Sequence, residues 1–152
     1  MSNSHTIPPQ AAIHAFLAAH STLTLATVSA EGQPMATDLF FAGDADLNLY
    51  WVSSPESRHS LNLGRNPKAA VTIHNETWMW TAIAGVQMEG EVAMLPEGAE
   101  REVAWKLYQA RFPFVAEFEA EIARSAFYKF TPRWARLIDN AQGFGHKLEL
   151  SL

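Results

Sequence analysis

Residues 22–59 read TLTLATVSAEGQPMATDLFFAGDADLNLYWVSSPESRH, and this stretch decides the fold. Thr22–Ser29, Met35–Ala42 and Leu47–Ser53 are alternating runs rich in β-branched or aromatic residues. Two turns separate them, Ala30-Glu31-Gly32-Gln33 and Gly43-Asp44-Ala45-Asp46. Connections this short join antiparallel neighbours, because a parallel crossover needs a dozen or more residues. The strands are therefore predicted to form a meander. At Ser54-Pro55-Glu56-Ser57 the texture changes again. A hydroxyl cap at Ser54, proline at the first helical position and an acid in the first turn predict a short helix. Asn66-Pro67 ends it, since the residue before proline avoids helical angles.

Working outward, Pro8 and Pro9 open a helix towards His20, with Ile13, Phe16 and Leu17 on one face. Ala69–His74 is a fourth strand. Trp80–Leu95 is a long strand, bent near Gly85 and Gly90. Pro96-Glu97 starts a helix to about Arg111, with Val103 and Leu107 as its buried stripe. Val115, Phe118 and Ile122 mark another helix after Pro113. Ala126–Ile138 returns to strand, and the tail from Asp139 is a glycine-containing turn with a short final strand. The prediction is a mainly β (α+β) single domain over residues 1–152. It comprises six or seven antiparallel strands of Greek-key type, curled into a barrel that hides its edges, with three or four peripheral helices. The βαβ alternation of a doubly wound sheet is absent.

The bulk numbers bound the chemistry. The chain of 152 residues has 48% hydrophobic and 18% charged residues, enough for one packed core. It has no cysteine, which excludes disulfides, thiolate metal sites and a cysteine nucleophile. The net charge of -5 gives no global attraction to nucleic acid or anionic membranes, so a phosphate ligand needs a local positive cluster. Met1 to Pro9 lacks the pattern of a signal peptide and no apolar run is long enough to span a membrane, so a cytoplasmic protein is expected. The six histidines show no metal-ligand spacing, and no GxSxG elbow is present.

The chemistry concentrates where the third strand meets its helix. Ser53, Ser54 and Ser57 supply hydroxyls, Arg58 a bidentate cation and His59 a titratable donor, beside the free N–H groups of a helix start. This set suits a phosphate monoester. A capped helix with a solvent-exposed Arg-His pair has the same local signature and is the commoner case. Phe40, Phe41, Trp51, Trp78 and Trp80 could line a slot for a planar ring, and could equally fill a core or an interface. Gly143-Phe144-Gly145 contains GxG with no following helix, which does not support a dinucleotide fingerprint.

The order of these motifs resembles the FMN-binding split barrels of the pyridoxamine 5'-phosphate oxidase superfamily. The run Ser57-Arg58-His59, Leu63, Asn66-Pro67 and strand 69–73 is similar to that group's SRK-like phosphate motif and its helix end. Ile83-Ala84-Gly85-Val86-Gln87 with Gly90-Glu91, Tyr108 with Arg111-Phe112-Pro113, and Asp139-Asn140 with Gly143-Phe144-Gly145 and Lys147 resemble its YhbP-like branch. The resemblance spans nearly the whole chain. It implies that Ser53, Arg58 and His59 contact the phosphate and ribityl chain, with Ser54 and Ser57 beside them. It further implies that Thr37, Asp38, Leu39 and Phe40 run along the isoalloxazine through backbone groups, and that Gly85 or Gln87 meets the flavin edge. A homodimer with the site at its interface is implied too.

The departures bear on activity. Ala42 stands where the oxidases have a lysine, Tyr108 and Arg111 only loosely match their substrate residues, and the C-terminal arginine-histidine pattern is missing. His59 replaces a lysine, so phosphate affinity is expected to fall as the histidine loses its proton. Pyridoxamine phosphate oxidation is therefore not expected. The reading is a flavin-dependent oxidoreductase with a small-molecule substrate or nicotinamide donor and no assignable catalytic residue. The alternatives are a non-catalytic flavin-binding or sensing module, and a barrel that is empty or holds haem or F420.

Overall fold

A computed structural model describes residues 7–152 of the chain. Most of the polar N-terminal stretch, Met1 to Thr6, lies outside the described residues. The strands are β1 (Thr22–Val28), β2 (Pro34–Phe40), β3 (Ala42–Gly43), β4 (Leu49–Ser53), β5 (Lys68–His74), β6 (Ala84–Met94), β7 (Ala126–Asp139) and β8 (Lys147–Ser151). They form one sheet in the order β2-β1-β5-β6-β7-β4-β3, with β8 also paired to β7. Every pairing is antiparallel. One edge of β7 is divided: residues 126–130 pair with β4 and residues 134–138 with β8. The sheet curls into a half-barrel whose end strands, β2 and β3, are not paired to each other. This is the split barrel that the family resemblance implies; the meander expected over residues 22–53 is instead two hairpins, β1–β2 and β3–β4, at opposite ends of the sheet, because the chain crosses over at Phe41.

The helices are α1 (Pro9–Ala18), α2 (Arg58–Arg65), α3 (Ala99–Arg111) and α4 (Glu119–Ala123). None among the described residues is long and apolar enough to cross a membrane. Two cores result. Inward residues such as Leu25, Trp51, Val71, Val86 and Phe130 fill the barrel, and Ile13 and Leu17 of α1 join them. The opposite faces of β4 and β7 bury Tyr50 and Phe127 against Ala104, Tyr108 and Phe112. With a side-chain period of two, Trp51 and Tyr50 serve different cores, and β4 is buried on both faces.

Several local expectations are corrected. The cap of α2 is Ser57, whose Oγ accepts from the Ser60 N–H, and the helix starts at Arg58. Ser54 instead closes a turn, its carbonyl accepting from the Ser57 N–H at 3.1 Å. The second predicted strand breaks at Phe41, whose ring turns into the barrel. The 80–95 strand begins only at Ala84, because Trp80–Ala82 form a 3-10 turn. The buried stripe of α3 is Ala104 and Tyr108, one position on from Val103 and Leu107. Tyr108 sets this rotation, with ring centroids 5.0 Å from Phe112 and 6.3 Å from Phe127. Gly90 sits at a register shift between β6 and β7, where a Cβ would lie 2.2 Å from the Thr131 carbonyl oxygen. Only glycine fits that bulge.

Candidate functional site

Helix α2 buries polar residues: His59, Ser60 and Asn62 accompany Leu63 on its inner face. Buried polar groups need partners, and these have them. Asn62 Nδ2 donates to Thr27 Oγ1 of β1 at 3.0 Å, fixing the helix over the barrel end. His59 Nε2 lies 2.6 Å from Ser53 Oγ and 3.1 Å from Ser57 Oγ. Ser57 Oγ donates to Ser60 Oγ at 2.7 Å and accepts from the Ser60 N–H. His59 Nε2 is thereby bracketed by two serine oxygens. Burial holds the His59 pKa below its ordinary value of 6.5, which keeps the ring neutral at neutral pH.

Arg58 stands apart from this buried cluster. It is exposed, and no ion pair or hydrogen bond occupies its guanidinium among the described residues. The turn before it is stiffened by Ser54 Oγ, which accepts from the Glu56 N–H at 3.2 Å. The β4–α2 junction therefore presents a cation unpaired among the described residues beside serine hydroxyls and the start of an eight-residue helix. That donor set suits an anion with several oxygens.

The other sequence-derived candidates lie on β2 and β6. Thr37 and Leu39 point towards the barrel and are half-buried, while Asp38 and Phe40 alternate outwards. Asp38 Oδ1 accepts from Thr24 Oγ1 at 2.6 Å. Phe40 packs against Phe112 and Phe114, with centroids 5.1 and 5.6 Å away. Gln87 is exposed, and Gly85 is close-packed: a Cβ there would meet the Ile73 carbonyl oxygen at 3.2 Å.

The sheet register gathers Asp38 and Gln87 into one outward row: Asp38, Thr24, Thr72, Gln87 and Arg136. The next row is Ala36, Ala26, Ala70, Glu89 and Trp134. Three adjacent alanines leave a depression, and the two rows line most of a concavity of about 620 Å³. At its far side the Arg136 guanidinium stacks 4.9 Å from the Trp134 ring centroid and pairs with Glu149 at 2.6 Å. Sequence reasoning missed these alanines, Trp134 and Arg136. The available signal was small residues at consecutive outward strand positions, visible only once the register is known.

The concavity is not lined by Ser53, Ser54, Ser57, Arg58 or His59. Within one chain, the phosphate-type cluster and the Gln87 face are separate surfaces. Tyr108 and Arg111 belong to neither. Tyr108 is buried in the second core, where burial pushes its hydroxyl pKa up. Arg111 donates to the carbonyls of Leu17 and His20, tying α3 to the end of α1.

Comparison with known proteins agrees with this geometry. Residues 9–139 match the pyridoxamine 5'-phosphate oxidase family model. The UPF0306 protein YhbP of Escherichia fergusonii is 32% identical over 140 residues, covering 90% of this chain and 89% of that protein. Among solved structures, a heme binding protein from Mycobacterium smegmatis superposes with a TM-score of 0.77 at 21% identity. The match covers 96% of this chain and 60% of the length of that protein. A putative pyridoxamine 5'-phosphate oxidase from Listeria innocua superposes with a TM-score of 0.69 at 20% identity, over 86% of this chain and 98% of that one. A split barrel with this strand order, matched from α1 to the end of β7, places the chain in the pyridoxamine 5'-phosphate oxidase family, in its YhbP-like branch.

Proposed function

We propose that this protein binds FMN, with the phosphate at the β4–α2 junction, and acts as a flavin-dependent oxidoreductase other than a pyridoxamine phosphate oxidase. The observation that carries the reading is the exposed Arg58, without an ion pair or hydrogen bond among the described residues, at the start of α2 next to the Ser53–His59–Ser57 cluster, in a chain whose net charge of -5 otherwise repels a dianion. His59 acts here through Ser53 and Ser57, as a buried neutral ring that orients their oxygens. Bound FMN would supply hydride chemistry, and the protein orientation and electrostatics. The separation of the junction from the Gln87 face supports a two-chain site, in which a second copy brings its Gln87 face to the flavin held by the first.

A second reading is a haem-binding barrel, favoured by the likeness to the mycobacterial heme binding protein. The donor chemistry of the 620 Å³ concavity weighs against it. No histidine, cysteine or tyrosine lines it, and Met88 is turned into the core. Haem iron needs such an axial ligand, whereas a flavin ring needs only a flat slot with polar edges.

Denaturing the purified protein and analysing the released chromophore tests the choice. FMN at about one per chain, with two visible bands before release, is expected. A Soret band and released haem would replace this reading with the second. If FMN is present, anaerobic NADH or NADPH should bleach it and air restore it; a flavin that no donor reduces would leave a binding module instead of an oxidoreductase.

A further inference from the structure

Charge is distributed unevenly around the concavity on the outer sheet face. Two charged residues line it, Glu89 and Arg136. Arg136 is satisfied within the chain: its Nε and a terminal nitrogen both meet Glu149 Oε1, at 2.8 and 2.6 Å. Glu89 is exposed, and its carboxylate has no ion pair or hydrogen bond among the described residues. The carboxylates nearby differ from it, since Asp38 accepts from Thr24 and Glu91 pairs with Arg133 at 3.1 Å. Among the described residues, the uncompensated charge lining the concavity is therefore negative.

The register fixes what stands around that carboxylate. Glu89 lies between Ala70 of β5 and Trp134 of β7, each directly opposite it. On the Ala70 side the floor continues through Ala26 and Ala36, across β1 and β2. Neighbouring strands are about 4.8 Å apart, so this bare floor is roughly 10 Å wide, enough for a fused aromatic ring system laid flat. Trp134 is half-buried and lines the opposite side. The bulge at Gly90 follows immediately, and bulges re-aim the side chains beside them. A methyl floor accepts a flat apolar ring, while an indole and a lone carboxylate both favour positive charge on it.

We propose that this concavity is a substrate subsite for a planar organic cation, such as an N-alkylated heteroaromatic ring, with Glu89 as the residue that selects its charge. Its volume of about 620 Å³ falls within the range of small-molecule sites. The Glu89 row adjoins the Gln87 row, so the inference rests on the flavin reading for the ligand's role as a substrate; the binding itself does not require FMN. The same carboxylate repels a phosphorylated substrate, in keeping with an activity other than pyridoxamine phosphate oxidation.

The experiment is equilibrium dialysis of the full chain at pH 7.5, with and without added FMN, against three rings of one shape and different charge: N-methylacridinium, acridine and acridine-9-carboxylate. The cation should bind at least about fivefold more tightly than acridine, and the carboxylate most weakly. Glu89→Gln should remove that margin and leave acridine binding unchanged. Glu119→Gln makes the same change in net charge on α4, outside the concavity, and should keep the margin. Ala70→Leu fills the floor and should weaken all three rings; Ala70 is exposed, so its melting curve should match the wild type. A wild type that binds none of the rings, or binds all three equally, would overturn the proposal. So would an equal loss of margin in Glu89→Gln and Glu119→Gln, which would reduce the effect to the general attraction of an acidic chain for cations. The FMN-free samples carry the result on their own. A chain that keeps the margin and never binds FMN would lose the flavin reading and retain this site.

Discussion

His59 and Arg58 are neighbours in sequence with opposite fates. Arg58 is left in solvent without a partner among the described residues, and His59 is drawn under α2 with its Nε2 between two serine oxygens. Sequence reading treated them as two donors to one phosphate, because burial is not visible in a dipeptide. The structure separates an exposed cation from a ring buried between two serine oxygens. This has a pH consequence. The folded pKa of His59 lies below its ordinary 6.5, so the unfolded chain binds more protons than the folded one between those two values. The contribution is complete above about pH 6.5 and is lost as the pH falls towards the folded pKa. Thermal melts should therefore show stability dropping between pH 7.5 and 5.5, and His59→Asn should flatten that slope. An unchanged slope in the variant would mean that the ring is not held neutral by the fold.

Elements show which parts of the fold a sequence announces. The strands of β1–β4 were legible because alternation and turn residues are local signals, as were the end of α2 at Asn66-Pro67 and the break before Phe112; their order was not, because the chain crosses from one end of the sheet to the other at Phe41 and makes two hairpins in place of a meander. Three details were not. The helix cap moved from Ser54 to Ser57 because both offer the same hydroxyl, and it is Ser57 Oγ that accepts from the Ser60 N–H. The stripe of α3 is one residue off because Tyr108 is recruited by Phe127, a partner 19 positions away in sequence. The alanine floor of the concavity is spread over β1, β2 and β5, so no window of sequence contains it. The bend at Gly90 was expected, and the structure supplies its cause in the β6–β7 register shift. Gly90→Ala would drive a Cβ into the Thr131 carbonyl and the Phe130 ring, at 2.2 and 2.8 Å. A loss of about 3 kcal/mol is expected in denaturant melts, in the range for overpacked cores. A near-neutral effect would show that the bulge can relax.

At the scale of the whole molecule, an acidic chain offers its phosphate-type donors at the β4–α2 junction and a flat-floored concavity on the sheet face. One chain does not bring these two together. The central claim is electrostatic: a phosphate ester is gripped by Arg58 and the serine hydroxyls beside it. The most direct measurement compares FMN with riboflavin, which lacks the phosphate, by flavin fluorescence quenching in wild type and Arg58→Ala. A hydrogen bond to a charged group contributes about 1.5–3 kcal/mol, or roughly 10- to 150-fold in affinity. Wild type should therefore prefer FMN over riboflavin by at least about tenfold. Arg58→Ala should lose most of that preference while riboflavin affinity and melting temperature stay unchanged. Equal binding of FMN and riboflavin by the wild type, or an undiminished FMN preference in the variant, would contradict the account.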